Sequence, residues 1–452
     1  MKTINKDYYF LLLIIHVLIG FVIFQFPFTA KIYSLLIIAI GLFHVFTTKD
    51  KNNEVLIICS YITGAEILLR MTEGSVFEFG KYSIILFSSI GILYHRVSNR
   101  SIIYIIYFFL LMPGVLLAYT NFAENTDARL AIAFNISGPI CLAFASVYCI
   151  DMKISLERVF DVVRTVSYPI VSTVVYLYLY TPSIKNIVTS TGSNFEASGG
   201  FGPNQVSTIL GLGIFTFFVL ILFKSKNTLL LITNLLILVF IAFRGIITFS
   251  RGGIFTALVM ILIMLVVIFN RVNKITRVKV VFLLLFGFII GLGVWTYSSS
   301  QTNGLIEKRY SNQDARGRVK EDRLGGREVL FESEIDMFLQ NPFLGVGVGR
   351  AKEVRLENIG IEASSHNELS RVPAEHGIVG IIMLILLLVT PLIFYMNNKQ
   401  NIFLLSFYLF WLLTINHAAM RLAAPAFIYA LSLLKVTIAD ETKTPIHREQ
   451  TL

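Results

Sequence analysis

Residues 248–269 read TFSRGGIFTALVMILIMLVVIF, a short polar turn followed by an apolar run. A helix needs roughly 20 predominantly apolar residues to cross the hydrocarbon core of a bilayer. Runs near that length recur along most of the chain, which is 55% hydrophobic and 15% charged, with a mean hydropathy of +0.73. These values lie outside the range of soluble globular domains. The sequence therefore predicts an all-α polytopic membrane protein.

Fourteen segments are predicted to be helical, and because several are short we expect about 12 to 14 transmembrane helices. The segments are 9–26, 31–46, 55–69, 82–94, 101–119, 130–150, 160–180, 206–223, 229–247, 254–269, 280–295, 378–395, 402–413 and 422–434. They divide the chain into eleven helices with short loops (1–297), a long polar loop with short amphipathic helices (298–375), three further helices (376–436) and a tail (437–452).

The distribution of basic residues predicts the orientation. Of the 38 lysines and arginines, 19 lie on one side of the alternating spans and eight in short loops on the other side, and the remaining 11 lie in the long loop. Cytoplasmic loops retain the excess of positive charge, so both termini are predicted to be cytoplasmic and the long loop to face outward. The net charge of +10 is scattered over short loops, which argues against nucleic-acid binding.

The long loop contains two stretches of helical character. Residues 327–340 repeat apolar side chains at Phe331, Ile335 and Phe338, which predicts an amphipathic helix whose apolar face lies on the membrane domain or the bilayer surface. The second stretch begins at residues 364–368, SSHNE, where Ser365 and Glu368 have the spacing of a capping box.

That capping box would place His366 in the first turn of a helix. The positive end of the helix dipole disfavours imidazolium, so His366 is expected to stay neutral and available as a general base near pH 7. Four of the other histidines lie in apolar spans or on the predicted cytoplasmic side, whereas His376 and His417 are candidates on the outer side. No pair of histidines has metal-ligand spacing, and neither a metal nor a cofactor is expected.

Two arginines belong to the hairpin around the quoted turn. Arg251 lies in the polar break and Arg244 shortly before it. An arginine at membrane depth is costly unless it faces a cavity or a partner, although simple interfacial anchoring would also account for either residue. Guanidinium groups match phosphate oxygens bidentately, so arginines on this face suggest a phosphorylated lipid as ligand. The glycine-rich stretch 345–349, GVGVG, lacks the preceding strand of a nucleotide loop and is interpreted as a flexible turn.

Three motifs occur in one order along the chain: Ser250-Arg251-Gly252, then Gly326-Arg327 followed by residues 341–347 (NPFLGVG), then His366-Asn367 with Gly377-Ile378-Val379-Gly380 nine residues later. In these motifs the sequence resembles the O-antigen ligase and polymerase superfamily of integral membrane glycosyltransferases, which use undecaprenyl-diphosphate-linked sugars. The resemblance covers about residues 248–380. It implies a bacterial inner-membrane location, a catalytic role for the periplasmic loop, and no cofactor.

The resemblance also implies roles for individual residues. Arg251 and Arg327 would bind the donor diphosphate, and His366 would activate the acceptor hydroxyl. Some members of the superfamily need a carboxylate late in the chain, where this sequence has Asn416-His417-Ala418-Ala419-Met420-Arg421. The supporting residues are therefore expected among Ser250, Asn367, Glu368, Glu375, Arg244, His417 and Arg421.

Several functions remain open from the sequence. A ligase would transfer the glycan to lipid A-core, a polymerase to a second lipid-linked glycan, and a protein oligosaccharyltransferase to a protein. A lipid or solute transporter is the alternative of another class, in which intramembrane charges such as Glu66 and Arg70 would line the path. In every case the surrounding membrane lipids are partners and nucleic acid is not.

Overall fold

Helices dominate the computed structural model, which describes residues 6–76, 78–122, 127–320 and 326–437. Up to the long loop they are α1 (Lys6–Gln25), α2 (Thr29–Thr48), α3 (Glu54–Met71), α4 (Phe79–Tyr94), α5 (Ile102–Leu110), α6 (Met112–Asn121), α7 (Ala128–Cys149), α8 (Leu156–Tyr180), α9 (Ile184–Ile187), α10 (Pro203–Phe223), α11 (Thr228–Ile247), α12 (Arg251–Phe269) and α13 (Lys274–Gln301). The remainder are α14 (Leu305–Tyr310), α15 (Arg327–Gln340), α16 (Ala351–Ile359), α17 (Glu368–Asn397), α18 (Leu404–Ile415) and α19 (Ala423–Leu431).

Short elements complete the described chain. Single turns of 3₁₀ helix occupy Asn99–Ser101 and Glu196–Ser198, and the strands β1 (Lys153–Ser155) and β2 (Lys435–Thr437) pair in parallel. The pairing ties the end of the last helix to the start of α8. Of the predicted tail, residues 437–452, only Thr437 falls within the described residues, and the others lie outside them.

Every one of the fourteen apolar segments predicted from the sequence is helical. In the described ranges, ten helical stretches are long and apolar enough to cross a membrane, and the all-α polytopic prediction is confirmed. The other four segments correspond to α4, α18 and α19, which are shorter, and to α3, which carries three charged residues. Polar caps start several of the spans: the side chains of Asp127, Ser155 and Asn227 accept a backbone N–H in the first turn of α7, α8 and α11.

The buried core lies where α3, α7, α8, α10, α18 and α19 pack together. Trp411, Tyr429 and Phe215 are completely buried there. By contrast, α13 lies at the periphery, and large apolar side chains such as Phe282 and Ile289 are about two-thirds exposed. In a membrane protein such a surface contacts lipid. The core therefore lies away from α13, which leads along the periphery of the bundle into the long loop.

A network of paired charges lies inside the bundle. Arg70 lies 3.2 Å from a Glu66 oxygen and 3.5 Å from a Glu78 oxygen, and Lys81 is also paired with Glu78. The second Glu66 oxygen accepts the backbone N–H of Ala423 at 2.8 Å. Buried charges persist when they are paired and hydrogen-bonded. This network joins α3 and α4 to the start of α19.

The glycine-rich stretch 345–349 packs against a kink in α17. Gly377 has φ +61°, and a Cβ atom there would lie 2.4 Å from the carbonyl carbon of Phe343. At Gly345, with φ +69°, a Cβ atom would lie 2.4 Å from the Glu375 carbonyl carbon. The N–H groups of Val346 and Gly347 donate to carbonyls of α17 at 2.9 and 3.1 Å. The interpretation of residues 345–349 as a flexible turn is wrong, because their main chain is hydrogen-bonded to the kink.

Candidate functional site

Arg251 begins α12, at a helix start that is fixed by neighbouring polar groups. The Ser250 hydroxyl donates to Asn204 Oδ1 at 2.8 Å, and the Ser250 carbonyl accepts the Ser207 hydroxyl at 2.8 Å. Phe249 adopts φ +57°, which turns the chain sharply into the helix. These contacts hold the first turn of α12 against α10. Ser250 thus fixes the start of the helix that Arg251 begins.

Arg309 joins Arg251 in space. It lies on α14, and its guanidinium donates to the Phe249 carbonyl at 3.1 Å and to the Ser193 hydroxyl at 3.4 Å. Burial lowers the pKa of Arg309, and the positive charges of Arg251 and Arg327 lower it further. The sequence assigned no role to Arg309.

Arg327 opens α15, which spans the residues predicted for the amphipathic helix. Burial lowers the pKa of Arg327, and the positive charge of Arg251 lowers it further. The buried side chains of this helix are Glu334 and Met337, whereas Phe331 is 49% exposed and Ile335 is 36% exposed, so of the two predicted contacts for the apolar face the bilayer surface is the one left open. The face that packs on the protein is therefore partly polar.

His366 lies two residues before α17, so its predicted place in the first helical turn is wrong. Asn367 is the N-cap, and its side-chain oxygen accepts the Leu369 N–H at 2.9 Å. The predicted capping box is absent from this described segment because the Ser365 hydroxyl donates to the Glu334 carboxylate instead. A side chain of α15 consequently fixes the loop that precedes α17.

The imidazole of His366 is neutral near pH 7 for a different reason from the one expected. Burial lowers its pKa to about 4, with further contributions from the positive charges of Arg421 and Arg327 and from His417. Across the described residues, neither ring nitrogen has a hydrogen-bond partner. Both nitrogens are therefore free to meet a substrate.

Glu334 anchors the loop that carries His366. Its carboxylate accepts the Arg355 guanidinium at 2.8 Å and the Ser370 hydroxyl at 2.5 Å, in addition to the Ser365 hydroxyl. Glu334 is 2% exposed and Arg355 is fully buried. Because its bonds reach both sides of His366, this carboxylate ties the loop to α15 and α16.

His417 and Arg421 lie in the turn between α18 and α19. Nδ1 of His417 donates to the Leu413 carbonyl at 2.9 Å, so in the neutral ring Nε2 is the unprotonated nitrogen. The ring packs on Gly252, where a Cβ atom would come within 2.4 Å of it. Arg421 donates to the Ser365 carbonyl at 2.8 Å, next to His366. The turn thus reaches both the start of α12 and the His366 loop.

These contacts define what we call the arginine–histidine cluster: Arg251, Arg309, Arg327, Arg421, His366 and His417. Among the described residues, none of its four arginines forms an ion pair with a carboxylate. In the same ranges, no group of three His, Cys, Asp or Glu side chains is arranged to hold a metal ion. Uncompensated positive charge beside a neutral imidazole is suited to binding an anionic group and accepting a proton.

Residues 236–385 match the family model described as O-antigen ligase. Over this region the chain is similar to the O-antigen ligase family, in agreement with the resemblance of its motifs. The matched region contains four members of the cluster, Arg251, Arg309, Arg327 and His366, whereas His417 and Arg421 follow it. No curated protein matches the chain. This similarity and the ten apolar helices in the described ranges support a multi-pass membrane protein and a glycan-processing enzyme of ligase or polymerase type, with a lipid-linked glycan and an acceptor as substrates in general.

Three other residues that were expected at this site, Glu368, Glu375 and Arg244, form contacts outside the cluster. The buried Arg371 pairs with Glu368 and with Glu375, each at 2.5 Å. Arg244 is also buried, and it donates to the Leu177 carbonyl at 2.9 Å and the Thr181 hydroxyl at 2.6 Å. These contacts bind α11 to the end of α8, which gives Arg244 a structural role apart from the cluster.

Sequence reasoning missed Arg309 and Glu334. The only local signal for Arg309 was its position among several basic residues of the long loop, and nothing distinguished it from Lys308 or Arg316. Glu334 lies close to the polar residues Glu332, Ser333 and Asp336, so a solvated carboxylate was the ordinary interpretation. Both roles depend on contacts with residues distant in the chain.

Proposed function

We propose that this protein is an O-antigen ligase-like glycosyltransferase that transfers a glycan from undecaprenyl diphosphate to a hydroxyl of lipid A-core. The arginine–histidine cluster carries this proposal, because it combines arginines without carboxylate partners with a neutral imidazole. A polyprenyl diphosphate supplies phosphate oxygens that guanidinium groups bind well. The reaction would take place at the periplasmic face of the bacterial inner membrane, with both termini cytoplasmic, as the distribution of basic residues favours.

In the proposed reaction, His366 accepts the proton of the acceptor hydroxyl. The oxygen forms a bond to the anomeric carbon of the donor sugar as the bond from that carbon to the diphosphate breaks. Undecaprenyl diphosphate leaves with the bonding electron pair, and the guanidinium groups of Arg251, Arg309 and Arg327 stabilise its growing negative charge. Every atom of this step comes from the two substrates and His366.

Donor binding would also make His366 a stronger base. In the free protein, burial and nearby arginines lower the pKa of His366 to about 4. A bound diphosphate adds negative charge beside the ring, which favours the protonated imidazole and raises the pKa towards the operating pH, where a general base is most effective. The base would therefore gain strength when the donor is bound.

Transfer assays on the purified protein test this proposal. Undecaprenyl-diphosphate glycan is supplied with lipid A-core, with a second lipid-linked glycan, or with an acceptor protein, with and without EDTA. Product only with lipid A-core supports the ligase, and product with the second glycan supports the polymerase, which uses the same donor. Absence of transfer to all three acceptors contradicts the enzyme proposal. A lipid transporter would keep its activity in His366→Ala, and the transferase would lose turnover.

A further inference from the structure

Arg421 has different neighbours from the other arginines of the cluster. Arg309 and Arg327 both respond to the charge of Arg251, whereas the pKa of Arg421 is lowered by burial, raised by Glu368 and lowered by Arg371. The positive charges of Arg421 and Arg327 both lower the pKa of His366. In the contacts, Arg309 lies against the Phe249 carbonyl before α12, whereas Arg421 lies over Phe134 of α7 and beside Ser365, so the two arginines approach the cluster from different elements.

Hydrogen bonds from main-chain N–H groups fix the turn that carries Arg421. The Met420 N–H donates to Glu368 Oε1 at 3.1 Å, and the Ala423 N–H donates to Glu66 Oε2 at 2.8 Å. The guanidinium lies over the Phe134 ring, 5.8 Å from its centroid, and one nitrogen donates to the Ser365 carbonyl. Over the described ranges no carboxylate oxygen lies within ion-pair distance of it. Arg421 thus retains donors for a ligand.

The geometry of displacement divides the site into two sides. A nucleophile and a leaving group occupy opposite sides of the anomeric carbon, and the general base lies beside the nucleophile. If Arg251, Arg309 and Arg327 bind the leaving diphosphate, the region beyond His366 receives the acceptor. A partly buried arginine there forms no ion pair with a carboxylate of the described residues, and such a group is costly unless a ligand compensates it.

We propose that Arg421 recognises a negatively charged substituent of the acceptor glycan, either the carboxylate of an acidic sugar or a phosphate group. This inference rests on the proposed function, because the transferase reaction defines which side receives the acceptor. Both substituents offer oxygens that a guanidinium can bind with charge-assisted hydrogen bonds. Arg421 would then select acceptors and leave donor binding to the other arginines.

Binding measurements with simple probes test the assignment. Saturation-transfer NMR on the full-length protein in nanodiscs compares glucose 6-phosphate, glucuronate and glucose, and a separate titration uses undecaprenyl diphosphate. The wild type should bind at least one anionic sugar about tenfold more tightly than glucose. Arg421→Gln should lose this preference, and Arg421→Lys should keep part of it. The two anionic probes distinguish a phosphate from a carboxylate substituent.

Arg309→Gln is the matched variant on the donor side. It should weaken undecaprenyl diphosphate binding about tenfold and keep the preference for an anionic sugar. An equal affinity of the wild type for all three sugars would overturn the inference. It would also be overturned if Arg421→Gln kept the preference, or if saturating undecaprenyl diphosphate displaced the anionic sugar.

Different results would contradict the proposed donor and the proposed acceptor role of Arg421. Loss of undecaprenyl diphosphate binding in the wild type would contradict the proposed donor, while the sugar titrations would still report on Arg421. Retained binding of undecaprenyl diphosphate by Arg421→Gln would show that the variant is folded. An equal loss of donor affinity in Arg421→Gln and Arg309→Gln would assign Arg421 to the diphosphate and overturn the acceptor role.

Discussion

Replacing Glu334 by glutamine tests how the loop before α17 positions the proposed base. The carboxylate of Glu334 is the common acceptor for Arg355, Ser365 and Ser370. In Glu334→Gln the side chain keeps its shape, but its charge disappears and its amide N–H₂ faces groups that are themselves donors. The substitution therefore acts mainly on hydrogen bonding and charge.

The size of the effect follows from burial. Glu334 is 2% exposed and its partner Arg355 is fully buried, and removing one partner of such a pair costs about 3 to 5 kcal/mol. Because Ser365 directly precedes His366, loss of its bond frees the imidazole to move. A displacement of about 1 Å reduces turnover roughly 10²-fold. We expect kcat to fall by that factor, and the affinity for undecaprenyl diphosphate to change by less than about threefold, since Met337 still packs α15 on the protein.

The assay is glycan transfer with kcat and donor affinity measured separately, together with the melting temperature in detergent. Glu332→Gln is the control, because Glu332 lies on the same helix and is exposed, and surface substitutions usually change stability by less than about 0.5 kcal/mol. Ser365→Ala should fall between the control and Glu334→Gln. A wild-type kcat in Glu334→Gln, at any melting temperature, would refute the positioning role.

Three further results are expected. His366→Ala should lower turnover by about 10² to 10⁴ and still bind undecaprenyl diphosphate, whereas His44→Ala on an exposed helix face should be unaffected; equal losses would point to general damage. The pKa of about 4 for His366 in the free protein predicts that kcat/KM falls only as the pH drops towards 4, because the protonated ring cannot accept a proton. In kcat the same decline should occur at a higher pH, since bound diphosphate raises the pKa, and coincident limbs in the two profiles would argue against that coupling. Gly252→Ala should force the His417 ring out of place and cost about 1 to 3 kcal/mol, while Gly287→Ala, with no heavy atom within 4 Å of its Cβ, should raise stability slightly in melting experiments; a Gly252→Ala protein as stable as the wild type would contradict the packing argument.

The fold was predictable because hydropathy acts locally. A run of apolar residues long enough to cross a bilayer must be helical whatever surrounds it, since its backbone polar groups have no water to bond. This is why all fourteen predicted segments are helices, and why α15, an amphipathic pattern closed by Asn341 and Pro342, has the predicted ends. The β1–β2 pair joins residues far apart in the sequence, and no local pattern predicts it.

The candidate site was only partly predictable for the same reason. Arg251, Arg327 and His366 belong to local motifs, and the structure brings them into one cluster. The capping box failed because Ser365 has a buried carboxylate partner on another helix, which local spacing cannot reveal. Arg309 entered the cluster through the carbonyl of Phe249, a main-chain group that has no sequence signature.

The turn that carries Arg421 has a consequence for how specificity can change. Glu66 and Glu368 hold this turn through the N–H groups of Ala423 and Met420, and every residue except proline has such a group. The side chain at position 421 can therefore be exchanged without releasing the turn. If Arg421 contacts the acceptor as proposed, a library restricted to this position would vary the chemistry that meets an incoming glycan on an unchanged scaffold, and acceptor preference would diverge by single substitutions while the arginines proposed to bind the diphosphate stay in place.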